Sequence, residues 1–484
     1  MLLHVLLMLP FLSALILSLV SSKTKNIEFI KNCGFFLSVC IFFVSLMLWI
    51  FFDQSTIEFQ FLMSFSWLPF LDCVFGVDGL SLFFILLTTG LIPLCILASW
   101  TSLKGFWSEY LVSFFLIEGF LLLVFSTLDV LVFYLCFESI LAPMFLVIGL
   151  WGSRTRKTRA GYLFFLYTLF GSVILLFGIV YIYSYYGTLY YPVLIENPML
   201  PTVQPFLWLA FAFAFATKIP VYPFHIWLPE AHVEAPTSGS VLLAGVLLKM
   251  GAYGFLRFSL FLFPYAAEFF LPLVYTFAVV GMLYTSIIAV RQTDLKRIIA
   301  YASVAHMNLV LAGLCSFNSL GIAGAIIQSL SHGLVSSSLF LGVGVLYDRY
   351  HTRIVKYYSG LIAVMPIFCL FLFIFILGNL GFPGLSSFVG EILLLTGIYT
   401  VNPTIAFFSA LGMILGAVYS LWLFNRIAFG NLKNYSIVSF MDLSFNEFCV
   451  FIPMVCGVLL MGVYPEPFFN AIQFSVAYTT IFFI

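Results

Sequence analysis

Apolar runs of about 18–25 residues follow one another along nearly all of this 484-residue chain. A backbone inside lipid must satisfy its own peptide groups, so such runs can fold only as helices or as a closed barrel. Barrel strands alternate polar and apolar residues at every second position. These runs do not, and the spacing therefore predicts helices. With 63% hydrophobic and 8% charged residues, too little polar surface remains for a soluble protein of this size, and the chain reads as an all-α polytopic membrane protein. The nine cysteines are scattered through the runs without a C-x-x-C pair, so neither a zinc nor an iron–sulfur site is expected. Cys449 and Cys456, at helical spacing, read as apolar packing. The first run opens without basic residues ahead of it, so no cleavable signal is expected.

Helices are predicted near residues 2–20, 33–52, 79–99, 111–128, 130–150, 160–184, 206–219, 238–263, 269–290, 298–316, 320–346, 361–400, 404–426 and 447–466, about 14 in all. Basic residues test that count, because they collect in loops on one side of a membrane. Of 19 basic residues, 16 follow odd-numbered spans: Lys23, Lys25, Lys31, Lys104, Arg154, Arg156, Lys157, Arg159, Arg291, Lys296, Arg297, Arg349, Arg353, Lys356, Arg426 and Lys433. Acids occupy the opposite loops, as in Asp53, Glu58, Asp72 and Asp78. A miscounted span would scramble this parity, so both termini are placed on the non-basic side. The longest connections, about 20–30 residues, hold no soluble domain.

Two helices are expected to be broken. Pro220 and Pro223 follow Lys218, and a proline removes a backbone donor and clashes with the preceding turn. Gly378 to Ser387 carries three glycines and Pro383. Irregular backbone at membrane depth is tolerated only where protein or water lines it. Paired broken helices in the two halves of a chain point to inverted repeats around an ion site.

Ionisable residues inside apolar runs mark that site, since each costs at least about 2.5–3.5 kcal/mol to insert. They are Glu138, Lys218, Lys249 and Glu391, with Glu118, His306 and His332 also inside predicted helices. Burial disfavours the charged form of a carboxylate or lysine, and an opposite charge favours it. Glu138 and Lys218 are therefore expected to form a pair that switches as it opens and closes, with Lys249 accepting the proton onward. His306 and His332, near neutral pH in their unperturbed titration, suit relay between that lysine and Glu391. Glu118 tunes the pair, admits protons or binds a neighbouring helix; the residues alone leave these open. Asp129 reads as a helix cap or an interfacial anchor, Ser329, Ser331 and Ser336 to Ser338 as water or carbonyl partners, and Gly412 to Gly416 as a packing face. No P-loop or dinucleotide motif is present, and no helical histidine pair spaced for two haems. Neither a cofactor nor a metal is expected in this chain.

The run KIPVYPFHIWLPEAHVEAPTSGSVLLAGVLLKMGAYGFLRF, from Lys218 to Phe258, resembles the signature of the antiporter-like subunits of respiratory complex I. FYLCFESILAPMFLVIGLWGSR, IIAYASVAHMNLV, LSHGLVSSSLFLGVGVLYDR and FPGLSSFVGEILLLTG extend the resemblance from about Gly76 to about Phe429. Glutamate at 391, where sibling subunits carry lysine, makes it similar to the chain 4 type of NADH:ubiquinone oxidoreductase in its mitochondrial form. The resemblance implies about 14 transmembrane helices with two inverted five-helix repeats. The domains expected are residues 1–110 (three helices), 111–263 and 264–430 (the repeats, helices 4–8 and 9–13) and 431–484 (a C-terminal helix and tail). Also implied is proton transfer through Glu138, Lys218, Lys249, His306, His332, Glu391 and Glu118, driven by quinone reduction elsewhere in the complex. NADH, FMN, iron–sulfur clusters and ubiquinone are then expected in partner subunits. The expected partners are other membrane-arm subunits, especially the sibling chains 2 and 5, and lipids such as cardiolipin, with no nucleic acid. The expected location is the mitochondrial inner membrane, basic loops toward the matrix. Two other readings compete: a subunit of a cation/proton (Na+/H+) antiporter, and a structural spacer whose buried charges lock helices.

Overall fold

Helix starts are fixed by short polar side chains that accept the first free backbone N–H groups. Asn26, Asp78, Asp129, Asp294, Asn318 and Asn402 all cap in this way. Asp129 thus has the capping role expected of it, accepting from Leu131 and Val132. The computed structural model describes residues 1–23, 26–68, 71–103, 105–432 and 441–481. The loop residues Lys25, Lys104 and Lys433 lie outside them.

Among the described residues, 12 helices are long and apolar enough to cross a membrane. Pro366–Leu380 and Ser386–Val401 are shorter apolar helices beside them. The outer helices Leu2–Lys23 and Ile27–Ile50 expose much of their apolar surface, whereas the apolar stretches of Thr237–Leu260 and Ser319–Tyr350 are almost wholly buried. These last two are the axis around which the rest packs.

Both predicted breaks are present. Gln204–Lys218 stops at Lys218 and resumes as Trp227–Glu234. Pro366–Leu380 ends at Gly381, and Ser386–Val401 follows.

Four features differ from expectation. The span expected at 130–150 is divided at Ile140 into Val130–Ser139 and Leu141–Trp151. Pro143 has no N–H for the Ser139 carbonyl, which explains the interruption just after Glu138. The span expected at 238–263 carries two π-helical turns, Leu243–Leu247 and Phe255–Leu260, on either side of Lys249. The chain is not wholly helical: Gln60–Leu68 and Leu71–Val77 pair as an antiparallel hairpin. Finally, Glu466–Ile481 forms a further helix, over Gly79, where a methyl would overlap the Ala471 carbonyl. Cys456 is exposed and Cys449 half-buried, so they lie on the outer surface rather than in the interior.

The loops meet by parity, as the basic residues suggest. Lys31 donates to the Trp100 carbonyl at 2.8 Å, Arg353 to Val233 and Ser153, and Arg349 clasps Glu447 at 2.6 and 2.7 Å. At the other end, the hairpin pairs with Thr127, and Asp129 with Tyr190.

Candidate functional site

The lysine helix, Thr237–Leu260, is held against both neighbours by glycines. A Cβ on Gly251 would stand 3.1 Å from Lys218 Cβ, and one on Gly333 would stand 3.1 Å from the Gly245 carbonyl oxygen. Close backbone approach of this kind is how small residues bring polar groups together within a membrane. One crossing sets Lys249 near the end of the broken helix; the other sets it against His332.

Lys249 is fully buried. The π turn diverts the Leu248 N–H to the Leu243 carbonyl, and the Lys249 ammonium bonds the Ala244 carbonyl. Its Nζ lies 2.9 Å from His332 Nδ1. The His332 and His306 rings are 5.6 Å apart, and His306 Nδ1 is 3.6 Å from Glu391 Oε1. Gln328 Nε2 bridges the last pair, 3.5 Å from His306 Nδ1 and 3.4 Å from Glu391 Oε1. Four of the residues singled out by sequence therefore form one continuous polar row. Such a row can hand a proton from an ammonium through two imidazoles to a carboxylate, because each member is both a taker and a giver of protons.

Gly381 makes room for the end of that row. Its φ of +73° ends the preceding helix in the left-handed region, and a methyl there would overlap the Glu391 carboxylate. Gly381→Ala is expected to cost roughly 1–2 kcal/mol from backbone alone and to push the carboxylate off His306. Lower heat resistance of the assembled protein together with reduced proton transfer checks both effects.

Glu138 and Lys218 behave differently from expectation. Each lies in the other's field, with Ser172 beside Glu138, but among the described residues they do not close to an ion pair. The Lys218 ammonium instead stands 4.3 Å over the Phe137 ring, a favourable seat for a desolvated cation. Glu118 is fully buried, apart from the row, and neither of its oxygens has a hydrogen-bond partner among the described residues.

Sequence reasoning missed a second buried polar group, on the side of the basic loops. Lys296 and Arg353, counted there as loop residues, are 1% exposed. Lys296 donates to the Ala235 carbonyl at 2.8 Å and to Ser240 Oγ at 3.2 Å. The Arg353 guanidinium stands 4.4 Å over Tyr347. With Asp348 they line a cavity of about 480 Å³. His232, inside the quoted WLPEAHVE run, lies between this group and Lys249, in the field of both lysines. Its ring stacks on Phe340 at 4.5 Å, and neither ring nitrogen has a partner among the described residues. The sequence offered little signal for it, since Glu230 and Glu234 flank His232 and make the run read as polar. A third feature is the buried pair of Arg257 with Asp78, bonded at 2.6 Å to both carboxylate oxygens. Phe59, Tyr191 and Tyr253 surround it.

A family model described as "NADH:quinone oxidoreductase/Mrp antiporter, TM" matches residues 127–416. The chain is 53% identical over 468 residues to NADH-ubiquinone oxidoreductase chain 4 of Chondrus crispus, covering 96% of this chain and 95% of that one. It is 51% identical to the Arabidopsis thaliana chain 4, covering 97% and 94%. Among solved structures, a chain of respiratory complex I from Thermus thermophilus superposes with a TM-score of 0.91 at 29% identity, covering all of both chains. A chain of the Mrp complex from Dietzia sp. superposes with a TM-score of 0.84 at 22% identity, covering 100% of this chain and 52% of that one. This last likeness is one of fold.

Proposed function

Because the chain belongs to the NADH-ubiquinone oxidoreductase chain 4 family, we propose that it moves protons along the row Glu138, Lys218, Lys249, His332, His306 and Glu391. It is a membrane-embedded, multi-pass subunit of a proton-translocating NADH:ubiquinone oxidoreductase. The observation that carries the residue assignment is the contact of Lys249 with His332 at 2.9 Å inside a wholly buried helix.

In this reading Glu138 works on Lys218 at a distance. A negative Glu138 holds a proton on Lys218 by Coulomb attraction, which is strong where water is scarce. Neutral or displaced, it leaves the ammonium over Phe137 uncompensated, and the proton passes to Lys249 and then to the histidines. Glu391 ends the row. His232, with Lys296 behind it, supplies Lys249 from the basic side. The two repeats, 111–263 and 264–430, are supported by the breaks, each of which falls in the fourth span of its repeat. NADH, FMN, iron–sulfur clusters and ubiquinone belong to partner subunits, and this chain contributes no redox step. The sibling chains 2 and 5 and anionic lipids such as cardiolipin are its neighbours, in the mitochondrial inner membrane with basic loops toward the matrix. The antiporter alternative is supported by the shared family model and by a likeness of fold, and is the less specific of the two.

Glu138→Gln tests the field effect. The amide keeps the shape and removes the charge, so NADH-driven acidification of liposomes holding the complex should be lost while native gels show normal assembly. Full pumping by that variant would refute the role given to Glu138.

A further inference from the structure

Glu118 is a buried acid that the row does not use. Two turns before it on the Trp107–Ser126 helix stands Tyr110, fully buried, whose hydroxyl bonds Ser238 Oγ. Tyr110 also has the Ser99 hydroxyl as a partner. Ser99 and Ser238 both line the 480 Å³ cavity that carries Lys296 and Arg353. The Cys95 thiol donates to the Ser238 carbonyl at 3.8 Å and lies in the field of Glu118. Tyr110 and Glu118 are eight residues apart, a rise of about 12 Å along the helix.

We propose that Ser238, Tyr110 and Cys95 form a side branch through which Glu118 exchanges protons with the basic-side cavity, separate from the lysine–histidine row. A proton arrives from water in the cavity; each hydroxyl or thiol passes its own proton inward as it receives one, and ends unchanged. The net change is one proton from cavity water to the Glu118 carboxylate, giving a neutral carboxyl, and the reverse on release. A carboxylate with no hydrogen-bond donor on either oxygen is suited to this storage, because nothing but the proton compensates its charge. The proposal rests on the reading of this chain as a proton conductor.

The test uses the assembled complex in liposomes and reads protons moved per NADH oxidised. Tyr110→Phe removes one hydroxyl and Glu118→Gln removes the stored proton's acceptor. Each should lower the ratio, and the double variant should be no lower than Glu118→Gln alone, since both cuts lie on one branch. A wild-type ratio for Tyr110→Phe, or a double variant that falls to the product of the singles, overturns the branch. If Glu118→Gln does not assemble, Ser238→Ala takes its place, with the same expectation of no added loss and the same refuting results. Lys249→Ala in parallel separates the two claims: if it alone stops pumping while the branch variants are normal, the branch fails and the row stands.

Discussion

Lys249→Ala is expected to stop proton movement through this subunit while the complex still assembles. The ammonium is the group joining the lysine side of the row to the histidine side, through the 2.9 Å contact to His332 Nδ1. Alanine leaves the Ala244 carbonyl without its bond from Nζ and His332 without its proton donor. Unsatisfied buried polar groups cost roughly 1–3 kcal/mol each, which a bundle of this size can absorb, so the loss should fall on function. Lys249→Arg should not restore it, because an arginine does not release its proton in proteins. NADH-driven acidification, scaled to quinone reduction and to assembled complex, checks both. Normal pumping by assembled Lys249→Ala would leave the buried charges only a structural role.

Asp78→Ala is expected to have the largest effect on stability. Arg257 is 3% exposed and Asp78 4% exposed, and removing one partner of a buried pair strands the other charge at a cost of about 3–5 kcal/mol. The strain falls on the turn Phe255–Leu260, at the end of the helix that carries Lys249. Little assembled complex should appear on native gels, and what forms should dissociate at lower temperature. Asp78→Ala with Arg257→Leu should recover much of the loss, because an apolar replacement of both partners is often close to neutral. A single variant as heat-resistant as wild type would show that the pair does not anchor this helix.

Much of the architecture was legible because lipid leaves the backbone so few choices. Apolar length placed the helices, proline and glycine placed two of the breaks, and the loop parity of the basic residues matched how the loops meet. Pro143 carried the same signal as Pro220 but was read through, since the run around it stayed apolar on both sides. The π turns flanking Lys249 have no comparable mark: a π turn shifts hydrogen bonds by one residue without needing a particular side chain. The buried state of Lys296 and Arg353 was hidden for another reason. Parity assigns a basic residue to a side of the membrane and says nothing of whether it folds back under the neighbouring loops. Within the site, the row from Lys249 to Glu391 was anticipated from residue type, and Gln328, which bridges its last pair, was not. An uncharged glutamine stands out from a helix only once its neighbours are known. The Glu138–Lys218 pair shows the limit most plainly, because opposite charges in separate spans predict attraction, whereas whether they touch is decided by packing, here by the Phe137 ring beneath the ammonium.

The row is tested most directly at its far end. Glu391→Gln keeps the size of a side chain that is 2% exposed and removes only its capacity to take the proton from His306. In liposomes holding the assembled complex, the ratio of protons moved to NADH oxidised should fall below that of wild type while NADH oxidation continues. An unchanged ratio in fully assembled Glu391→Gln would contradict proton transfer along this row.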